Sequence, residues 1–497
     1  MIQLNPDDGA LTLIPILCLL LILSACSVGP NYQEPDISSV MNEQWLVAGE
    51  NRERFDPDRQ PMTAWWQQFN DPELSRLIAQ LVSSSRALAE ARQRIVEVSA
   101  RQGVVDADRW LQLSAAFGYT HAETGDQAVS LQGWPPGKSV SVVSAGVVAG
   151  WELDIWGRTA RLLEAAEEDV RATYGVYHGL MVSLAAELTL AYIDTRTLEA
   201  RLENVRETIV LQEKSLRLLQ TRLQAGNGST LEVVRAKRFV QTTRARIPDL
   251  EKNLSLAKNR ISLLLGLPPG QGVLHPGPLP SVPLLIGVGL PIDLMTRRPD
   301  IRQAVHHYHG SVARIGAAEA ERYPALRLSG TLNLSSDTLG NLLDADALIY
   351  SLGPGLSFPI INGGRIESVV AVRTSQAEQA RLVLEQKIIA ALAEVENAAA
   401  GVLFSREQTA ELLSAEQLAA KSAELAESLY RAGLSDSFQV LSAQQELITI
   451  QESLFLARQQ ALSEVVRLYR SLGGGWEVTL AGADTAQEKE AKQNIKQ

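Results

Sequence analysis

Cysteine is almost absent from this 497-residue chain: Cys18 and Cys26 are the only two, which excludes a disulfide framework. Aromatic residues are scarce at 5%, and the hydrophobic fraction of 45% is carried mostly by Ala, Leu and Val. Ala and Leu have the best helix propensities, so long helices are favoured. Basic clusters are missing as well. The net charge of −11 and pI near 5.3 argue against nucleic-acid binding and say only that the chain is soluble wherever it meets water. Proline is absent from Arg158 to Ala225 and again after Pro359, so nothing breaks a helix in those stretches. No nucleophile–base arrangement can be assembled, which argues against an enzyme.

The apolar run Leu11–Leu23 is too short for a comfortable membrane span and about right for a signal-peptide core. The residues before it carry two Asp and no Lys or Arg, a departure from the usual positive start. Leu23-Ser24-Ala25-Cys26 resembles a bacterial lipobox, with Cys26 as the acylated amino terminus after removal of residues 1–25. The mature chain then holds one Cys. Ser27 differs from the Asp that retains lipoproteins in the inner membrane, so the resemblance implies an outer-membrane address.

Two stretches repeat each other: "QAGNGSTLEVVRAKR" from Gln224 and "RAGLSDSFQVLSAQQ" from Arg431. Gly226 and Gly433 are 207 positions apart (433 − 226), and the same offset aligns Gly157-Arg158 with Gly364-Arg365 and Arg260 with Arg467. Upstream the offset becomes 213 (316 − 103), aligning Gly103 with Gly316 and Arg109 with Arg322. Two such units point to a tandem duplication rather than a repeat array.

Each unit has the same order of parts. Helical periodicity covers Leu77 to Arg109, and "TRRPDIRQAV" reads as a helix start at Pro299. Period-two alternation follows. Leu111, Leu113, Phe117 and Tyr119, then Val143, Val147, Trp151 and Leu153, fall on one face in the first unit. Leu328, Leu332 and Leu334, then Leu348, Tyr350, Leu352, Leu356, Phe358 and Ile360, do so in the second. The four runs have the length and pattern of transmembrane strands, with a soluble β-layer as the alternative. Their loops are expected near 125–140 and 337–347. A helix of nearly 70 residues, about 100 Å at 1.5 Å per residue, is expected next in each unit. Gly226 and Gly433 would cap it, with return helices starting near Ser229 and Ser435. Each motif is thus a hairpin tip, and both tips belong at one end. Four strands cannot close a barrel and open edges are not tolerated in lipid, so the chain must oligomerise, two copies giving eight strands and three giving twelve.

Several motifs together resemble the outer-membrane factor family of tripartite efflux and secretion systems, TolC- and OprM-like, and within it the NodT-type lipoproteins. They are "CSVGPNYQEP", "WWQQFNDPELSRLI", "WELDIWGR", "LPIDLMTRRPDIRQA", "IGAAEAERYPALRLSG", "FPIINGGR" and the two tips, in the family's order across nearly the whole mature chain. The resemblance implies an α+β membrane protein: a homotrimer with a twelve-stranded barrel continuous with a periplasmic α-helical barrel, lipid-anchored at Cys26. It also implies an exit duct working with a periplasmic adaptor and an inner-membrane pump of RND, MFS or ABC type, without a cofactor. The expected divisions are 1–25 signal peptide, 26–71 lipidated equatorial segment, 72–109 helices, 110–154 β-hairpin and 155–266 long helical hairpin. They continue as 267–295 equatorial linker, 296–323 helix, 324–361 β-hairpin, 362–473 long helical hairpin and 474–497 tail. A lipid-anchored periplasmic coiled-coil scaffold without a channel is the alternative.

The resemblance implies a periplasmic gate that maps only partly onto Glu232, Tyr430, Gln439 and Ser442. The acid-ring positions Gln439 and Ser442 are uncharged here, Glu232 keeps the acid and Tyr430 matches the latching tyrosine, with Asp436 as the candidate to supply charge instead; ordinary packing residues of a helix turn are the alternative. Ala225, Gly226, Ala432, Gly433 and Leu434 are the expected adaptor-contacting tips. His306 and His309 have i, i+3 spacing, but without a nearby Cys or carboxylate partner they read as a solvated helix face rather than a metal site. Arg297 and Arg298 read as part of a helix start. Gly353–Gly355 is no phosphate loop, since it sits in a strand pattern with no following Lys.

Overall fold

The computed structural model describes residues 27–37, 41, 43–60, 63–123, 125, 137, 139–271 and 274–477. Its principal elements are α1 (Pro72–Ser84), α2 (Arg86–Ala107), β1 (Gln112–Glu123), β2 (Ser139–Leu153), α3 (Arg158–Gln224), α4 (Thr230–Arg244) and α5 (Ile247–Leu264). They continue as α6 (Pro299–Ala320), β3 (Ala325–Ser336), β4 (Leu348–Ser357), α7 (Arg365–Arg431) and α8 (Ser437–Ser471). Most of the first loop, 125–140, lies outside the described residues, as do the signal peptide, Cys26 and the tail beyond 477. The chain forms two compact units. One takes the described residues up to Pro35 with Arg94–Thr173 and Ala304–Leu384; the other takes Asp36–Gln93, Tyr174–Gln303 and those from Glu385.

The first unit holds a four-stranded antiparallel sheet in the order β1-β2-β3-β4. The segment from Ser27 is strapped beside it: Val28 N–H donates to Trp156 O, and Arg161 donates to Asn31. A Cβ on Gly29 would meet Gly316 Cα at 2.3 Å, and one on Gly316 would meet Val28 O at 2.9 Å, so this crossing needs glycine in both segments. Tyr32 then stacks on His309 at 4.2 Å. The His306–His309 face is not solvated, contrary to expectation. His306 Nδ1 lies 2.6 Å from Glu168, a buried carboxylate, and His309 Nε2 lies 3.0 Å from Glu164. The carboxylates come from α3, some 140 residues away, which local spacing does not reveal.

In the second unit α1 starts at an Asp71 cap with Pro72 at its first position, and buries Leu74, Leu77, Ile78 and Leu81. Trp65 stacks on Tyr469 at 5.2 Å. A short parallel pair, Phe55–Asp56 with Ile286–Gly287, ties the early chain to the segment expected as the 267–295 linker. Buried Arg298 serves the start of α6: it forks onto Asp300 at 3.0 and 2.9 Å and donates to Glu394 and to Ser471 O at 2.8 Å. Burial works against the Arg298 charge, but Asp300 and Glu394 more than offset it and raise its pKa.

Helices α3 and α7 are 67 residues each. The return limb of the first hairpin is not one helix but two, because the chain breaks at Ala245–Arg246. Pro248 has no N–H to give to Arg244 O and so begins a new helix instead of continuing the old one. Leu202, Val205 and Ile209 of α3 pack against Leu250 of α5 beyond the break.

Candidate functional site

The first candidate element is the sheet. Register places Leu113, Phe117 and Tyr119 of β1 on the same face as Val143, Val147 and Trp151 of β2, Leu328, Leu332 and Leu334 of β3, and Leu348, Tyr350, Leu352 and Leu356 of β4. A period-two pattern in four separate stretches becomes one continuous apolar surface because directly opposed residues share a face. Its side chains are bare: Phe117 is 68% and Leu352 76% exposed. The opposite face mixes Ser114, Thr120, Ser144, Ser329, Thr331, Asn333, Ser351 and several glycines with Val140, Val142, Val148 and Ile349, and is the more polar of the two. β1 and β4 each keep one edge without a strand partner among the described residues. Such long apolar edges are aggregation sites in water and impossible in lipid unless another strand closes them.

The second candidate element is the pair of hairpin tips. Both long helices end in a Schellman turn. Asn227 N–H donates to Arg222 O and Gly226 N–H to Leu223 O; Leu434 N–H donates to Leu429 O and Gly433 N–H to Tyr430 O. Gly226 and Gly433 hold φ of 76° and 74°, which a side chain would strain. Ser229 caps α4 with Glu232 completing a capping box. The second return helix is capped one residue later than expected: Asp436, not Ser435, accepts the Gln439 N–H at 3.0 Å. The Asp436 carboxylate therefore sits on the first turn of α8.

Glu232 receives a second bond across the tips. Ser437 Oγ donates to Glu232 Oε1 at 2.6 Å, while Glu232 Oε2 accepts the Ser229 N–H at 3.0 Å. Next to this bridge the Arg235 guanidinium lies over the Phe438 ring at 5.5 Å, and Arg222 lies over Tyr430 at 4.9 Å. Gln439 and Ser442 are exposed, as are Ala225, Gly226, Ala432, Gly433 and Leu434. Glu232 and Tyr430 are thus each tied to a partner that sequence reading missed, Ser437 and Arg222. A Ser at the first position of a helix and an Arg in a last turn have ordinary local roles, so nothing in the string singles them out. Among the described residues no His, Cys, Asp and Glu group has the arrangement of a metal site.

The sequence pattern of the outer membrane efflux protein family matches residues 77–267 and 290–474. Nodulation protein T of Rhizobium leguminosarum bv. trifolii is 29% identical over 464 residues, covering 92% of this chain and 96% of that protein. The cation efflux system protein CusC of Escherichia coli O6:H1 is 28% identical, covering 93% of this chain and 98% of its own. The solved outer-membrane channel OprN superposes with a TM-score of 0.83 at 29% identity, over 91% of this chain and all of that one. Solved CusC gives 0.77 at 25% identity, over 90% of this chain.

Proposed function

Because the chain belongs to the outer membrane efflux protein family, we propose that three copies join their sheets edge to edge into a twelve-stranded barrel. Small molecules from the periplasm or the inner-membrane pump would leave to the exterior through it, as the exit duct of a tripartite efflux system. The observation that carries this reading is the sheet, with one continuous apolar face, one more polar face and two edges without a strand partner among the described residues. Closure would satisfy both edges, turn the apolar face to lipid and leave the polar face to water. A coiled-coil scaffold without a channel leaves that apolar face unexplained. The internal tandem duplication would supply the two β-hairpins and two helical hairpins of each copy.

Around this duct, Cys26 is the lipid anchor in the outer membrane. The tips at Ala225, Gly226, Ala432, Gly433 and Leu434 meet a periplasmic adaptor that connects to an inner-membrane pump. Glu232 and Tyr430 hold the resting periplasmic mouth, now with Ser437 and Arg222 as partners, while Asp436, Gln439 and Ser442 border it. The test is the mass of the full chain in mild detergent by light scattering, corrected for bound detergent. Three chains per particle with intact β-structure is the expected result, and a monomer retaining that β-structure would contradict the barrel. Labelled palmitate should enter the wild type and not Cys26→Ala.

A further inference from the structure

The polar face of the sheet is uncharged except at one rung, where Glu152 of β2 is paired in register with Arg327 of β3. Just past that rung the chain leaves the sheet and enters α3 at Arg158; the other strand-to-helix passage enters α7 at Arg365. In both passages the residue before the arginine is a glycine in the left-handed region, Gly157 at φ 77° and Gly364 at 81°. These turns aim the helix starts so that Arg158, Arg327 and Arg365 line one cleft of about 430 Å³.

Three guanidiniums meet three carboxylates there, but the two signs are displayed differently. Arg327 places Nε and Nη2 on Glu152 at 3.0 and 2.9 Å, Arg158 stands 3.6 Å from Glu152, and Arg365 stands 3.6 Å from Glu321. The arginine side chains are 68%, 44% and 65% exposed, against 27% and 32% for the two glutamates. Asp154 turns both oxygens to the Thr159 and Ala160 amides at the start of α3. Beside exposed aromatic rings such as Tyr323 and Phe358, the charge that solvent meets in the cleft is therefore mainly guanidinium, with the acids behind it.

We propose that Arg158, Arg327 and Arg365 form an anion-attracting collar where the strands of the duct pass into its helices, favouring small organic anions such as carboxylates and sulfonates. This rests on the duct reading above, in which the polar sheet face lines the lumen. Rings of Arg or Lys make pores anion-preferring, and the guanidinium fork matches planar oxyanions. The attraction is long-ranged only at moderate salt, since the Debye length falls from about 10 Å at 0.1 M to about 3 Å at 1 M.

The test is the reversal potential of the purified full chain in planar bilayers under a KCl gradient near 0.1 M. The wild type should prefer chloride over potassium. The triple variant Arg158→Gln, Arg327→Gln, Arg365→Gln should lower that ratio by roughly threefold or more, with the difference shrinking in 1 M salt. The corresponding Lys variant should stay near wild type. An unchanged ratio in the Gln variant overturns the collar and leaves the duct standing. Arg365→Gln alone, which loses only the loose contact to Glu321, covers the case in which the triple variant fails to assemble, and should lower the ratio in part. A wild type without conductance counts against the duct instead. The collar is then read by fluorescence anisotropy of a pyrene trisulfonate on the detergent-solubilised protein. Weaker binding by the Gln variants supports it, and equal binding overturns it.

Discussion

The two helical hairpins start alike and end differently. α3 and α7 have the same length and the same Schellman turn at a left-handed glycine. On the way back, α8 runs 35 residues unbroken, whereas the first hairpin needs α4 and α5 to cover the same path. The position 207 residues beyond Pro248 is Phe455, inside α8. The ion pairs diverge as well. Glu187 and Arg260 bind each other at 3.0 Å on an exposed surface. Their counterparts do not pair: Glu394 goes to buried Arg298, and Arg467 goes to Glu464. A shared frame thus tolerates one limb with a break and loose surface charges, and another that is continuous and stitched to the start of α6. What separates them is a missing N–H and a choice of partner, not the hydrophobic pattern.

The comparison should break most severely at the buried arginine. Arg298→Ala removes charge-assisted bonds to Asp300, Glu394 and Ser471 O, and is expected to cost about 3 kcal/mol. Arg260→Ala, at an exposed pair, should cost at most about 0.5 kcal/mol. Urea midpoints of the two variants measure the contrast, and equal midpoints would refute it. The break can also be moved. Phe455→Pro should interrupt α8 at a cost of about 3 kcal/mol, while Pro248→Ala should join α4 to α5 and slow amide exchange around residues 245–248.

A pH contrast follows from α3 having His178 where α7 has Glu385. Burial, with Arg302 adding to it, holds the His178 pKa down to about 4, and the ring stacks on Trp476 at 4.4 Å. The folded protein keeps this ring neutral, while the unfolded chain protonates it below its ordinary pKa of about 6.5. Stability from this group is therefore complete above about pH 6.5 and is lost as pH falls toward 4, by up to about 3 kcal/mol. His178→Phe should flatten the midpoint between those pH values; an unchanged slope would place the loss elsewhere.

Smaller effects than those at Arg298, Phe455 and His178 belong to the tips. Gln439 is the counterpart of Glu232, again 207 residues on. Ser437→Ala removes one of the two bonds on Glu232 and leaves its bond from the Ser229 N–H, while Tyr430→Ala frees Arg222; each is expected to loosen the proposed resting mouth by about 1 kcal/mol. Both should raise single-channel conductance. Gln439→Asp should create a block by millimolar divalent cations that the wild type lacks. A wild type already blocked, with nothing added by the variant, would move the acid ring to Asp436.

Much of the fold was legible because its signals are local. Proline-free stretches marked α3 and α7, and the two Ala-Gly motifs marked their ends. Pro248 was equally visible, but a proline fits the first turn of a new helix as well as it disrupts an old one, so the string alone did not announce the break. The carboxylate partners of His306 and His309 were invisible for another reason: Glu168 and Glu164 approach from a helix far away in the chain. The tip residues Glu232 and Tyr430 were found through a family resemblance, and their described partners differ from anything that spacing suggests.

By itself the sequence determined what depends on neighbours along the chain. Alternation sets which strand residues are apolar together, helix propensity and the absence of proline set helix length, and a glycine able to take positive φ sets where each long helix turns. Only the tertiary structure decided what depends on residues far apart. Strand register merged four alternating stretches into one apolar face and left a single charged rung on the other. Helix packing chose Ser437 for Glu232, Arg222 for Tyr430 and Arg298 for Glu394. Side-chain hydrogen bonds and ring contacts act over a few ångströms, so such pairings exist only once the backbone has brought distant segments together.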